Sequence, residues 1–490
     1  MKVLLAGYNV DNDVIEELKK NSPEREDITP ETLSASYARI SRDPRPVDEL
    51  RANARAEVES ARRSNRAIIF KMGHHSVAEH AVFNFDILGV SRLAIEEIEK
   101  FRLCSYTEKS QRYIKLKDDF VIPEEIKNTG TEEIFVKTVK EQNELYHRLY
   151  NKLKPYIYKK YDAMAKDKKN HSILNGWAKE DARYIVSLAT EGQLGMTINA
   201  RNLELMIRRF ASKKLSEIRS FCEKIYTLSK EVAPSIILFT EVNNFDSKTY
   251  EELKYKAGLI LEEKSVDNDA VTLVDYTPDA DERLIASLLH TSTSNPYHDC
   301  FKKAKSMNSR DKKELIKYTF KYMEFYDSVI REFEYVHLVF DLVVSATCFA
   351  QLKRHRMATL TAQKYNPELG ITLPDSVEEV GMGSEFLRTV EQTDKAYYAI
   401  KKKTELGADY VLTNSHRKRV LLKMNARELY HFSRLREDLT AQWDIRSIAI
   451  KIGEKAKKVM PLTCLLLGGK ESYPELYREI FGKKPKFFPP

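Results

Sequence analysis

Thr197-Ile-Asn-Ala-Arg-Asn-Leu203 and Lys423-Met-Asn-Ala-Arg-Glu-Leu429 share an Asn-Ala-Arg-x-Leu core. Each opens an amphipathic helix whose apolar residues return at helical spacing, Leu203 and Ile207 in one, Leu429 and Phe432 in the other. Further pairs occur outward from this match in the same order. Val3-Leu-Leu-Ala-Gly-Tyr8 and Thr272-Leu-Val-Asp-Tyr276 both read as buried strands that open a unit. Leu103–Tyr113 (LCSYTEKSQRY) parallels Met357–Tyr365 (MATLTAQKY), the second version being two residues shorter. Similarity at three places in one order predicts a duplicated chain. The charged stretch between Asn244 and Ala270 separates the copies. The expected organisation is a first copy over 1–244, a linker over 245–269 with a short helix in its middle, and a second copy over 270–490.

The predicted class is α+β (mixed α/β), with long helices packed on a mixed sheet. Val139, Tyr146, Leu149 and Leu153 share one helix face. Pro23, Pro30, Pro44 and Pro46 place loops in the first fifty residues. The terminal KKPKFFPP cannot continue a helix and reads as a tail or docking strap.

A length of 490 residues, with 42% hydrophobic and 31% charged residues, fits a globular protein of several domains. No apolar run reaches membrane-spanning length, and Met1–Val14 is not a signal peptide, because Asp11 and Asp13 follow a short apolar stretch. Five scattered cysteines with no CxxC pair argue against disulfides and against a cysteine zinc site, and place the chain in the cytoplasm. A net charge of +8 is spread along the chain, which fits a solvated surface or a polyanionic small molecule better than nucleic acid. Neither a nucleic acid nor a membrane is an expected partner.

Three constellations carry chemistry. Arg354-His355-Arg356 sets three basic groups in a row, with Gln351 one turn upstream. This suits a dense anion such as a phosphate or a reduced flavin, although a solvated basic turn has the same composition. Gly73-His-His-Ser-Val-Ala-Glu-His80 reads as a cofactor-binding turn, or as a capped helix start with Ser76 and Glu79 at capping-box spacing. No further Cys or His cluster completes a metal sphere there. Ser110, Gln111 and Arg112 supply donors suited to a phosphate monoester, though each type is common.

Together these residues resemble the flavin-dependent thymidylate synthases. The first copy is similar to that family at His74, Ser76, Glu79 and His80, at Ser105, Glu108, Ser110 and Arg112, at Glu180-Asp-Ala-Arg183, and at Asn199-Ala-Arg201. The second is similar at Gln351, Arg354, His355 and Arg356, at Asn425-Ala-Arg427, at Arg436, and at Ala441-Gln-Trp-Asp-Ile445. Each copy also departs from the pattern. The first has Lys100-Phe101-Arg102 in place of Arg-His-Arg, Phe210 at the later arginine, and no Ala-Gln-Trp. The second has Ala362 and Lys364 in place of the phosphate-binding Ser and Arg, and Asp409 opposite Arg183.

The resemblance implies reductive methylation of dUMP to dTMP, with FAD as cofactor, NADPH as reductant and methylenetetrahydrofolate as co-substrate. It also implies one composite site supplied by both copies. The first copy gives the substrate Ser110, Gln111, Arg112 and Arg183, and the second gives Gln351, Arg354 and Arg436. Arg354 and Arg436 are the implied catalytic residues. His74, Ser76, Glu108, Asn199, Arg354, His355, Arg356, Asn425 and His431 are the implied flavin contacts, with His431 standing where the family favours Asn. The implied assembly is a homodimer of two-copy chains mimicking a tetramer. A shifted substrate, such as UMP, and a non-catalytic nucleotide or flavin binder are the alternatives. An S-adenosylmethionine methyltransferase is disfavoured, since no Gly-rich loop follows a strand.

Overall fold

The computed structural model describes residues 1–18, 20–21, 27–40, 43–112, 114–261 and 268–488. Pro23, Tyr113, residues 262–267 of the linker and Pro489-Pro490 lie outside them. The chain divides into two compact units, Met1–Lys264 with Ser376–Thr413, and Ser265–Asp375 with Asn414–Pro490.

Each unit carries a four-stranded sheet, and the two sheets have the same topology. In the first, β1 (Lys2–Tyr8), β2 (Val82–Ser91), β3 (Cys104–Glu108) and β4 (Glu191–Asn199) lie in the order β1-β2-β4-β3. In the second, β5 (Val271–Tyr276), β6 (His337–Ser345), β7 (Thr359–Ala362) and β8 (Arg417–Asn425) repeat it as β5-β6-β8-β7. The α+β class holds, and within it every ladder is antiparallel. The central strands show why. Phe83, Phe85 and Ile87 of β2 are buried while Asn84 and Asp86 face out, the alternation of a sheet with one covered face. Leu338, Phe340 and Leu342 do the same in β6. Gly89 interrupts β2 with φ +67° where the register against β4 slips, so β2 needs one residue more than β6 to reach the same end.

The opening strands differ from the expectation of buried ones. Both are edge strands paired on one side only, and Val3 and Val271 are their sole buried residues.

Both central strands end in a serine that caps the following helix. Ser91 Oγ accepts from Ala94 N at 3.0 Å, and Ser345 Oγ accepts from Cys348 N at 2.9 Å. Each hydroxyl also donates to a carboxylate at 2.6 Å, Ser91 to Glu217 and Ser345 to Asp444. The Asn-Ala-Arg helices run Ala200–Ala211 and Ala426–Arg436, and their asparagines are the N-caps. Asn199 Oδ1 accepts from Asn202 N at 3.0 Å, and Asn425 Oδ1 accepts from Glu428 N at 2.8 Å.

The long helix Glu132–Lys160 packs in the first unit against the helix Gly383–Lys401. Val139, Tyr146, Leu149 and Leu153 form its buried face. Gln142 Nε2 donates to Thr393 Oγ1 at 2.8 Å and to the Val411 carbonyl at 2.9 Å. Leu188 N donates to the Leu412 carbonyl at 2.7 Å, so the segment around residue 410 is woven into the first unit. The linker helix is longer than expected, Asn244–Ile260, and buries none of its residues. In the tail, Phe487 N donates to Glu324 Oε2 at 3.2 Å. Among the described residues no helix is long and apolar enough to cross a membrane.

Candidate functional site

In the first unit, β3 hands the chain to the basic loop. Lys109 N donates to the Gln193 carbonyl at 2.8 Å, one residue beyond the strand, and the loop turns away there. Arg112 N donates to Ser110 Oγ at 3.2 Å, and Arg112 Nε pairs with Glu180 Oε2 at 2.5 Å. Ser110, Gln111 and Arg112 are half-buried. Glu180 lies in the last turn of the helix His171–Ala182, and Arg183 begins the 3-10 turn that follows. Arg183 is buried. Burial holds its guanidinium below the usual value, Glu180 opposes that, and the like charges of Arg112 and Arg92 add to it. Arg92 itself pairs with buried Glu96 at 3.1 Å. These three guanidiniums and two carboxylates concentrate positive charge in a desolvated place, the condition under which a phosphate is bound tightly.

His74, Ser76, Glu79 and His80 are exposed on the 3-10 turn His75–His80 and its approach. Ser76 falls inside the turn, and the N-cap His74 makes no side-chain cap bond, so the capping-box alternative is corrected. Glu79 pairs with Arg201 of the first Asn-Ala-Arg. In the second unit Arg427 likewise pairs with Glu334 at 2.9 Å, on the 3-10 turn Arg331–Tyr335. The arginine of this motif therefore clamps a turn onto its own helix, a role invisible without the equivalent turn in view.

In the second unit, the helix Ala346–Leu352 ends at the Arg-His-Arg. Arg354 and Arg356 are exposed, and His355 between them is buried. Arg436 Nε donates to His355 Nε2 at 3.0 Å, and His355 Nδ1 lies 3.2 Å from Glu428 Oε1. Arginine only donates, so Nε2 carries the lone pair and Nδ1 the proton. Burial lowers the ring's pKa, Glu428 opposes this, and Arg436 and His431 add to it. The rings of His431 and Phe432 meet His355 edge-on at centroid distances of 5.7 and 4.8 Å. Gln351 makes longer contacts with Arg436, its Oε1 3.4 Å from Nη1 and its carbonyl 3.3 Å from Nη2. Gln442 of the Ala-Gln-Trp-Asp-Ile segment caps the helix Trp443–Val459, and Asp444 is the carboxylate that holds Ser345.

The equivalent positions in the first unit are apolar. Phe101 lies ten residues after Ser91, as His355 lies ten after Ser345, and Phe210 lies eleven after Asn199, as Arg436 lies eleven after Asn425. Phe101 and Phe210 meet edge to face at 5.2 Å, and Phe210 meets Phe221 at 5.9 Å.

The shortened loop of the second copy is also corrected. Ser105 pairs with Thr197 and Thr359 with Lys423, and Gln363 N donates to the Arg419 carbonyl as Lys109 N does to Gln193. Ala362 therefore matches Glu108, and Lys364 matches Ser110. The missing residues fall later. Lys109 to the bridge at Phe120 is eleven positions, and Gln363 to the equivalent bridge at Ile371 is eight. All five cysteines are buried.

The model of the thymidylate synthase complementing protein family matches residues 26–235 and again 272–462. The chain belongs to this family. A flavin-dependent thymidylate synthase of Clostridium tetani is 31% identical over 217 residues, which are 43% of this chain and 82% of that protein. One of Geobacter sulfurreducens is 30% identical, over 42% of this chain and 80% of its own. A UPF0159 protein of Thermoplasma acidophilum is 24% identical over 88% of this chain and 92% of its own, so it matches both copies together. A thymidylate synthase X of Helicobacter pylori, solved with FAD and dUMP, is 17% identical over 48% of this chain and 99% of that one, with a TM-score of 0.30. The family model thus matches twice along the chain, and the sheet order and the serine and asparagine caps occur once in each unit.

Proposed function

We propose that this two-copy member of the family is a flavin-dependent thymidylate synthase, converting dUMP to dTMP with methylenetetrahydrofolate as carbon donor and NADPH as reductant. The observation that carries this reading is complementary retention. Arg183 persists where the other copy has Asp409, and Arg436 persists where the other copy has Phe210. One complete set of ligand residues is thereby supplied jointly by the two copies.

In this reading Ser110, Gln111, Arg112 and Arg183 hold the nucleotide phosphate. The phosphate takes over from Glu180 as the partner of Arg112 and relieves the crowding of like charge around Arg183. Gln351, Arg354 and Arg436 meet the base, where Arg436 stabilises negative charge as it develops on the pyrimidine carbonyls. His74, Ser76, Glu108 and Asn199, with Arg354, His355, Arg356, Asn425 and His431, serve FAD. The donor set fits that group. Exposed Arg354 and Arg356 suit its pyrophosphate, and both asparagines cap through Oδ1 while their amide nitrogens remain donors by chemistry. Bound FAD supplies the hydride. The chain supplies position and charge, and the burial of every cysteine favours a route without an enzyme thiol nucleophile. The reading includes a cytoplasmic homodimer.

A visible spectrum of the purified protein, then tritium release from 5-labelled dUMP with NADPH and methylenetetrahydrofolate, tests it. A yellow protein that releases tritium is the expected result. Turnover of UMP instead shifts the substrate, and binding without NADPH oxidation replaces the enzyme by a sensor.

A further inference from the structure

We propose that Glu428 is a positioning residue for the nucleotide site, fixing the His355 tautomer that anchors Arg436 by its Nε edge. The inference rests on the reading above, in which Arg436 meets the nucleotide.

Three observations carry it. First, the chain of contacts runs one way. Arg436 Nε must donate to His355 Nε2, so the single ring proton sits on Nδ1 and faces Glu428 Oε1. A proton on Nε2 would set two donors face to face and leave the guanidinium its longer contacts with Gln351. Second, the two groups behind Arg436 are held. His355 is 5% and Glu428 6% exposed, and Glu428 N is tied to the Asn425 cap. Third, the three residues change together between the copies. Glu428 stands three residues after its cap asparagine, where the first copy has Asn202. Asn202 Nδ2 turns back to Asn199 Oδ1 at 2.8 Å, while the Glu428 carboxylate turns to the imidazole instead. Where the imidazole is replaced by Phe101, the guanidinium is replaced by Phe210 and the carboxylate by an amide. A carboxylate kept only for packing has no reason to follow the other two.

The groups facing the imidazole are Glu428, His431 and Arg436 from the helix Ala426–Arg436, with Arg354 and Arg356 flanking it along the chain. Protonation of His355 on acidification removes the acceptor for Arg436 and sets a second cation beside it. Glu428 favours that protonation, so replacing it by a neutral residue moves the acid limb of nucleotide binding to lower pH.

The test is calorimetric titration of the full-length protein with dUMP between pH 5.5 and 8.5, for wild type, Glu428→Gln and Glu428→Leu. At pH 8, Glu428→Leu is expected to weaken binding about tenfold. Glu428→Gln, whose amide oxygen still accepts from Nδ1–H, stays within about threefold of wild type, with its acid limb shifted down. An affinity loss that is uniform in pH and not rescued by Gln overturns the proposal and leaves a packing role. Ring nitrogen-15 shifts of His355 in nucleotide-free protein give an independent arm. A proton on Nε2 in wild type overturns the proposal whatever the enzyme does. Failure of wild type to bind dUMP, with the Nδ1–H tautomer in place, counts against the functional reading and not against the contact.

Discussion

Phe101 and Phe210 meet edge to face with ring centroids 5.2 Å apart, in the places that His355 and Arg436 occupy in the other copy. The substitution is double. Losing one partner alone would have left a buried polar group without its hydrogen bond, at about 1–3 kcal/mol. With both positions apolar, the pair packs as core. Phe210, 2% exposed, now belongs to the cluster that includes Phe221 and Ile225. Phe210→Ala is therefore expected to destabilise the protein by about 3–5 kcal/mol. Urea unfolding measures this, and calorimetry with dUMP should find the stoichiometry per chain unchanged. A change in stoichiometry would mean that the first copy still contributes a site at Phe210.

Arg183→Ala and Arg436→Ala test joint supply of the site. Each removes a charged hydrogen-bond donor of the kind that contributes about 1.5–3 kcal/mol. Each single variant should lose about ten- to a hundredfold in dUMP affinity. Full affinity in either variant would show that one copy binds the nucleotide alone.

The two serine caps should prove equivalent. Ser91→Ala and Ser345→Ala each remove a helix cap and leave a carboxylate, Glu217 or Asp444, without one donor. Each is expected to lower stability by about 1–3 kcal/mol in denaturant titration.

Gln142 reports on the place of the helix Gly383–Lys401. Gln142→Ala withdraws the donor from both Thr393 and the Val411 carbonyl. An expected loss of about 1–3 kcal/mol follows. Hydrogen exchange should quicken in both long helices; an effect confined to Glu132–Lys160 would contradict their packing.

Thiol chemistry has a definite sign. Burial raises the Cys222 thiol to about 12 and pushes the Cys348 thiol well above its usual value. Both are neutral thiols at neutral pH and poor nucleophiles. A thiol-specific chromogenic reagent should label none of the five cysteines in the folded protein and all five in denaturant. Because the unfolded thiols ionise near pH 9 and the folded Cys222 near 12, stability should fall as pH rises through that window. Rapid labelling of native protein at pH 7 would overturn the burial argument.

Much of the candidate site could be read from residue types alone. Arg354-His355-Arg356, Ser110-Gln111-Arg112 and Glu180-Asp-Ala-Arg183 are short, contiguous and rich in charge, and a charged run written in one place survives in any fold. Glu428 was missed because an acidic residue three positions after a cap asparagine normally signals only a helix start. Its partner His355 lies 73 residues away in the chain. The Glu79–Arg201 and Glu334–Arg427 clamps were missed for the same reason.

Local pattern determined the duplication, the class of each unit and the division of basic residues between the copies. Alternation, helical spacing and cap residues act over a few positions, and two copies that keep them in order announce themselves. Tertiary structure alone decided three things. It gave Ala362 the position in its sheet that Glu108, and not Ser110, holds in the other, because register is fixed by hydrogen bonds to the neighbouring strand and not by residue likeness along the loop. It assigned the helix Gly383–Lys401 to the first unit, because an apolar stripe does not name the stripe it will cover. It buried His355 between two exposed arginines and gave each ring nitrogen a partner, because a side chain's protonation and bonding depend on neighbours that only folding brings within 3 Å.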